Sequence, residues 1–150
     1  MTREDARRVV NGWLSELGAL SLDEDGSCIV EQEDHKLLIG LQLAPTSPTL
    51  LFQAQLLPVS ESETGLLVAA LEANLYQVKT GGGAIALDTV SSDLIFCHQF
   101  TLRDDSTQNE FMSFLESFIG LSVALRSILS VEKEPAEESS EGPASEFLKI

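Results

Sequence analysis

The sequence predicts an α+β fold with its elements in the order α-β-β-β-α-β-β-α. Apolar residues recur with a helical period in three segments and with the strand period of two in five others. The strands of each run are separated by short connections rich in turn residues, which favours antiparallel pairing. We therefore expect a mostly antiparallel, twisted sheet flanked by helices, in one domain.

The first element is a helix that we place from Thr2 to Leu17. Thr2 is a suitable N-cap, and Glu4 and Asp5 lie in the first turn, where the helix dipole favours negative charge. Gly18 suits the position after the helix end. Helical spacing defines one apolar face, which comprises Ala6, Val9, Val10, Trp13, Leu14 and Leu17.

Three strands are predicted next, at Ser27–Glu31, Lys36–Leu43 and Thr49–Leu57. The second and third alternate apolar and polar residues, so each has one face that should point to the core. Those core residues are Leu37, Ile39, Leu41 and Leu43 in one strand and Leu50, Phe52, Ala54 and Leu56 in the other. The opposite faces carry Ile29, Leu38, Leu51 and Leu57 among polar residues, which predicts an apolar contact patch.

A second helix is predicted over Glu63–Val78, with Ser60 or Ser62 as its cap. The segment is apolar nearly all round. One stripe comprises Leu66, Ala69, Ala70, Ala73 and Tyr76, and a second stripe comprises Leu67, Leu71, Leu75 and Val78. Because a surface helix needs only one apolar stripe, the second must be buried inside the domain or against a partner.

The remaining folded elements are a hairpin and a long helix. Glycines 81–83 end the second helix, and the hairpin strands are Ala84–Asp88 and Asp93–Leu102. The last helix is placed over Ser106–Ser130, capped by Ser106 or Thr107. Residues 131–150 contain six glutamates and no apolar periodicity before Phe147. We therefore divide the chain into a folded domain, 1–130, and an acidic, disordered C-terminal tail, 131–150.

Composition excludes several classes of partner. The chain has 9 Lys and Arg against 24 Asp and Glu, a net charge of −15, yet its mean hydropathy is +0.09. Nucleic acids and anionic membranes are bound by clustered basic residues, so we expect neither as a partner. No apolar run in the sequence is long enough to span a membrane, and the N-terminus lacks the apolar stretch of a signal peptide. We expect a soluble, cytosolic protein.

No group of residues predicts catalysis, a cofactor or a metal site. His98 directly follows Cys97 on a strand, so their side chains point to opposite faces and cannot act as a nucleophile–base pair. His35 lies in an acidic turn without zinc or calcium spacing. Glycines 81–83 precede a strand rather than a helix, the reverse of a phosphate-binding loop. Cys28 and Cys97 should pack as small apolar residues.

The stretch from Leu66 to Asp88 resembles the middle of the class I type III secretion chaperones, the Tir-chaperone family. It runs LLVAALEANLY and then TGGGAIALD, which is similar to that family's L-x-x-L-L-x-A-N-like helix, glycine-rich turn and strand ending in Leu-Asp. The element order, the size and the acidic balance also match, over about residues 1–130. The resemblance implies a non-enzymatic, cytoplasmic bacterial homodimer. Such a protein binds the N-terminal segment of a secreted effector in extended form and keeps it soluble and secretion-competent. It implies a further candidate partner, the ATPase of the secretion apparatus.

The same resemblance implies two surfaces. The dimer interface would lie on the middle helix and the last two strands, at Leu67, Leu71, Leu75, Val78, Phe96 and His98. The effector-binding surface would lie on the first helix and first three strands, at Trp13, Ile29, Leu38, Leu51 and Leu57. The alternative function is a dimeric α+β adaptor or scaffold that binds a folded partner protein.

Overall fold

A computed structural model describes residues 1–133 and shows a five-stranded antiparallel sheet with three α-helices. The strands pair in the order β1-β2-β3-β5-β4, and a single 3-10 turn, Leu75–Gln77, follows α2. The predicted fold class and element order are confirmed. The elements are α1 (Arg3–Ser15), β1 (Ser27–Gln32), β2 (Leu37–Leu43), β3 (Thr49–Pro58), α2 (Thr64–Ala73), β4 (Ala84–Asp88), β5 (Asp93–Thr101) and α3 (Gln108–Glu132).

The hydrophobic core lies on one face of the sheet. Every residue predicted to point inward from β2 and β3 is buried, and all three helices add side chains to the same cluster. Phe52 is fully buried, and its ring centroid lies 6.1, 5.0 and 5.3 Å from those of Phe111, Phe114 and Phe118 on α3. Trp13 of α1 stacks on Phe111 at 5.2 Å. Aromatic contacts therefore join α1 and α3 to the sheet.

Both long helices begin with a capping box. The Thr2 side chain accepts a hydrogen bond from the Asp5 amide, and the Asp5 carboxylate accepts one from the Thr2 amide. Thr107 and Glu110 form the same reciprocal pair at α3, which selects Thr107 from the two predicted caps. Because α3 runs to Glu132, the first residues of the predicted tail are helical. Residues 134–150 lie outside the part of the chain that the structure describes.

The second helix is shorter than predicted. It ends at Ala73 instead of Val78, and its N-cap is Glu63 without a side-chain cap hydrogen bond, so neither Ser60 nor Ser62 caps it. Tyr76 and Gln77 have φ angles of 60° and 55°, in the left-handed region that ends a right-handed helix. Their conformation turns Leu75 and Val78 off the helical stripe to which their spacing assigned them.

A β-bulge corrects the predicted position of one apolar residue. The β3–β5 register shifts between Gln55 and Leu57, so strict alternation fails there. Leu57 is half-buried and packs against the core cluster, whereas the sequence predicted it on the opposite face of the sheet.

Contrary to the expectation from the sequence, α3 is long and apolar enough to cross a membrane, by length and composition alone. Core helices of soluble proteins can be equally long and apolar. In this fold Phe111, Phe118, Leu125 and Leu129 of α3 are buried in the core cluster. The apolar residues of α3 therefore include those that hold the helix on the sheet.

We expect Phe52→Ala to lower the free energy of unfolding by about 3–5 kcal/mol, because it removes the ring that α3 packs against and leaves a cavity. Urea unfolding followed by circular dichroism measures this loss. The exposed leucine Leu17 provides the control, since Leu17→Ala should cost less than about 1 kcal/mol. Equal losses in the two variants would contradict the packing described above.

Candidate binding surfaces

The strand β1 forms an open edge of the sheet. Its first residue, Ser27, is closed off by Asp23: the Asp23 carboxylate accepts from the Ser27 amide at 2.9 Å, and the Asp23 amide donates to the Ser27 carbonyl at 2.8 Å. Backbone groups alternate in direction along a strand, so those of Ile29 and Glu31 also face outward. Within the described part of the chain, only the Cys28 thiol, at 4.0 Å from the Ile29 carbonyl, reaches them. Two positions of β1 can therefore pair with another strand.

A cleft lies beside this edge. It has a volume of about 510 Å³ and opens widely to solvent. The loop after α1 and the start of β1 line it, with the side chains of Ala19, Leu20, Ser21, Asp23, Ser27, Cys28 and Ile29. Its mixed apolar and polar wall suits the side chains of an extended peptide that runs along β1.

Three of the predicted effector-binding residues lie on the sheet face opposite the core. Ile29 is 42% exposed, and Leu38 and Leu51 are half-buried outside the core cluster. In the register, Ile29 stands opposite Gly40, and Leu51 stands opposite Gln42 and Gln99. Since Ile29 also lines the cleft, the cleft and this face adjoin at that residue. We call Ile29, Leu38 and Leu51 the outer patch.

Two predicted effector-binding residues do not join the outer patch. Leu57 packs against the core, as described above. Trp13 is only 8% exposed, because it lies between Phe111 and Phe100. The helical spacing correctly placed Trp13 on the apolar face of α1. The sequence alone did not show that residues of α3 and β5 would cover it.

The surroundings of the cleft are acidic. Between Val9 and His35 the sequence has seven acidic residues and no Lys or Arg. Arg7 donates hydrogen bonds to the carbonyls of Asp23 and Glu24, and Arg3 to that of Asp25. These two arginines offset part of the charge of the loop, and the Asp23 carboxylate accepts from the Asp25 and Ser27 amides, so the excess negative charge comes from the remaining acidic residues. Such a field attracts a basic segment.

A second apolar surface surrounds the end of α2. Leu71, Leu75 and Val78 are 70%, 62% and 80% exposed, whereas Leu67 is half-buried and packs against the core. The β4–β5 hairpin adds Leu87 and Val90, at 46% and 93% exposed, which the sequence analysis did not single out. We call Leu71, Leu75, Val78, Leu87 and Val90 the α2–β4 surface.

Two residues predicted for the dimer interface lie inside the chain's own packing. Phe96 is fully buried and stacks on Phe118 at 5.1 Å, so it offers no surface to a second copy. His98 is half-buried against Phe114, and its Nε2 lies 3.0 Å from the Gly81 carbonyl oxygen. His98 thus holds the glycine turn against β5.

The edge of β4 is mostly closed by side chains of the chain itself. The Asn74 side chain bonds both backbone groups of Ile85: Oδ1 accepts from the amide at 2.7 Å and Nδ2 donates to the carbonyl at 2.8 Å. Thr80 does the same for Gly83, with its hydroxyl at 2.7 Å from the Gly83 carbonyl and its own carbonyl 3.0 Å from the Gly83 amide.

The hairpin that carries Leu87 and Val90 also contains polar atoms without a partner. Within residues 1–133, the Ser91 hydroxyl and one Asp93 carboxylate oxygen are buried and accept or donate no hydrogen bond. A buried polar atom without a partner destabilises the isolated chain.

Residues 1–133 contain no group of three or more His, Cys, Asp and Glu side chains that could hold a metal ion.

Comparison with known proteins gives one family and a set of structural relatives. The profile of the Tir chaperone protein (CesT) family matches residues 9–126. A search of curated proteins found no match. A chain of the ExsC–ExsE complex aligns at a TM-score of 0.69 and 17% identity, over 85% of this chain and 95% of that chain.

Two further structures align almost as well. A chain of the HopA1–SchA chaperone–effector complex has a TM-score of 0.63 and 16% identity, over 83% of this chain and 95% of that chain. A chain of the heterodimeric ExoU–SpcU complex, from the type III secretion system of Pseudomonas aeruginosa, has a TM-score of 0.60 and 16% identity, over 85% and 99%. At these identities the likeness establishes a shared fold.

We expect both thiols to be alkylated by iodoacetamide more slowly at neutral pH than cysteine in an unfolded peptide. Burial raises the pKa of Cys97; burial, and then the negative charge of Asp23, raise the pKa of Cys28. A raised pKa lowers the thiolate fraction, so the rates should climb as the pH approaches each pKa. Mass spectrometry of the labelled peptides measures the two rates separately. A Cys28 that reacts faster than the peptide at pH 7 would contradict this assignment.

Proposed function

The chain belongs to the Tir chaperone protein (CesT) family, the class I type III secretion chaperones, and on that premise we propose how it acts. It is a non-enzymatic chaperone of the bacterial cytoplasm that binds the N-terminal segment of a secreted effector. It holds that segment in an extended form, soluble and ready for secretion, and presents it to the secretion apparatus, including its ATPase.

The observation that carries this proposal is the open edge of β1 beside the cleft. An extended segment needs backbone partners as well as places for its side chains. Ile29 and Glu31 offer outward amide and carbonyl groups, and the cleft and the outer patch take alternate side chains of an added strand. Main-chain hydrogen bonds to β1 stabilise the extended state of the segment. Binding alone therefore keeps the segment unfolded, and no separate energy source such as nucleotide hydrolysis is required.

The same observation separates this function from the adaptor alternative. A folded partner presents a surface of side chains and rarely offers an unpaired strand. A site whose polar groups are those of a strand edge suits an unfolded segment better. The β1 edge therefore favours an effector segment over a folded protein.

The acidic loop next to the cleft supports a partner with basic residues. Asp23, Glu24 and Asp25 lie in the turn that precedes β1, and Glu31 lies on its open edge. Opposite charge speeds the encounter of partners and weakens with salt. Net negative charge also opposes non-specific aggregation, which helps a protein with exposed apolar residues to stay in solution.

The α2–β4 surface supports a homodimer. Its five exposed apolar side chains lie on neighbouring elements, since α2 packs against β4 and Asn74 joins the two. Exposed apolar clusters of this kind mark protein contacts. We place the dimer there, with Leu71, Leu75 and Val78 at its centre. This placement leaves the β1 edge of each copy accessible, because β1 and β4 are opposite edges of the sheet.

We expect Leu51→Asp to weaken effector binding about tenfold, because an aspartate on the outer patch must be desolvated when the segment covers it. The chain is co-expressed with N-terminal segments of proteins that its own bacterium secretes. The segment it protects from protease is then used in calorimetry. Ile128→Asp changes an exposed apolar residue of α3 and should leave the affinity unchanged.

The two cysteines provide an internal check on the site of binding. A bound segment should slow alkylation of Cys28, which lines the cleft, and leave that of Cys97, three strands away, unchanged. Unaltered affinity in Leu51→Asp, together with equal labelling of Cys28 with and without the segment, would refute the proposed site.

We expect Leu71→Asp to convert the dimer into a monomer, because it places a charge in the centre of an apolar contact. Light scattering after size exclusion measures the mass at micromolar concentrations. Leu17→Asp is the matched control, since Leu17 is exposed but lies outside the α2–β4 surface. A wild-type chain that is monomeric under these conditions would overturn the dimer proposal itself.

A further inference from the structure

The two edges of the sheet differ in how many of their outward backbone groups are already hydrogen-bonded within the chain. On β1, Asp23 closes only the first outward position, Ser27, and leaves Ile29 and Glu31 open. On the β4 side, Gly83 and Ile85 are both closed, so that Leu87 is the one outward position without a bond among the described residues. An edge that is open over a single position offers too little pairing for a second strand.

The Asn74 side chain imitates a paired strand. Its amide supplies one acceptor and one donor at the spacing of a peptide group, and both bonds to Ile85 are short. Asn74 is the first residue after α2, and its carbonyl accepts from the Gln77 amide in the turn that follows. The left-handed conformations of Tyr76 and Gln77 keep the chain from continuing as a helix past this point.

The glycine turn holds Thr80 in place for the next position. Thr80 is fully buried, and a side chain on Gly83 would lie 2.6 Å from the Cys97 carbonyl oxygen. Because glycine has no side chain, the turn can lie directly against β5. In this position Thr80 bonds both the amide and the carbonyl of Gly83. Asn74 and Thr80 thus close two consecutive outward positions.

We infer that Asn74 is a specificity-determining residue: together with Thr80, it closes the β4 edge to strand pairing and confines strand addition to β1. The role at β1 rests on the proposed function, whereas the closure of β4 does not. The partner excluded by the closure is a second copy of this chain, pairing antiparallel through its own β4. Leu87 and Val90, both exposed beside this edge, would strengthen such a pairing once the edge opened.

The test replaces Asn74 by alanine in the full chain. N74A frees the amide and carbonyl of Ile85, and hydrogen exchange of the Ile85 amide should accelerate by at least tenfold. In light scattering, N74A should form species heavier than the wild type, with a share that rises with protein concentration. Q77A changes an exposed neighbour in the same turn and should retain the wild-type mass.

A second variant distinguishes edge pairing from general loss of structure. In N74A/L87P, proline removes the outward amide of Leu87 and obstructs a strand at this edge, while the β4–β5 bonds made by Ala84, Ala86 and Asp88 are untouched. Because Leu87 also belongs to the α2–β4 surface, the double variant is compared with L87P alone and should have the same mass as that single variant. If N74A does not fold, N74G, which likewise removes both the acceptor and the donor and suits the end of a helix, takes its place with the same expected results.

The inference is overturned if Ile85 exchanges rapidly in N74A but the mass equals that of the wild type at every concentration. It is also overturned if the Ile85 amide stays protected, or if L87P leaves the heavier species intact. The mass of N74A is compared with that of the wild type, whether monomer or dimer, and the mass of N74A/L87P with that of L87P. Failure of the proposed function, seen in the Leu51→Asp and Leu71→Asp experiments, is therefore distinguishable from failure of this inference.

Discussion

The one-sided core determines most other features of this molecule. All three helices bury their apolar faces against the same side of the sheet, where Phe52 contacts three phenylalanines of α3. A sheet covered on one side keeps a second face and two edges. The outer patch, the open edge of β1 and the closed edge of β4 are all consequences of that arrangement. The functional surfaces are therefore what the core leaves uncovered.

The molecule separates its two proposed contacts by placing them at opposite edges. The edge formed by β1 has open backbone groups, a cleft and negative charge, which suit a flexible segment. The α2–β4 surface has exposed leucine and valine side chains and closed backbone groups, which suit contact between side chains of rigid elements. Polar side chains decide the difference, since Asp23 covers one position of β1 whereas Asn74 and Thr80 cover two positions at β4. Each edge thus accepts a different kind of partner.

Local patterns predicted the fold and its core, because alternation and capping depend on neighbours in sequence. Leu37, Leu50 and Thr107 took the roles that their spacing indicated. Tertiary contacts decided the rest. Leu75 continued a helical stripe, but the bonds of Asn74 to β4 and the left-handed turn end the helix before it. Trp13 and Phe96 were correctly recognised as apolar, yet pattern alone could not tell a side chain buried by its own chain from one buried by a partner.

The site itself was only partly foreseeable. The outer patch followed from alternation on β1, β2 and β3, but the bulge that removes Leu57 from it is a feature of the β3–β5 ladder and has no local signal. The openness of an edge depends on strand order, which the element sequence alone leaves undetermined. Asn74 stood in the segment that carried the family resemblance, although nothing in its neighbours indicated a bond to Ile85.

The β3–β5 ladder also affects the order in which the chain folds. It joins residues as far apart as Thr49 and Thr101, 52 positions along the chain, whereas β1, β2 and β3 are connected by short turns. Closing a long loop is entropically costlier than closing a short one, so we expect the three-strand meander to form first. On the ribosome this meander is synthesised before α2, β4 and β5 exist. We therefore expect the half of the sheet that bears the open edge to be exposed to neighbouring nascent chains earliest, and to be the part of the folding chain most vulnerable to aggregation.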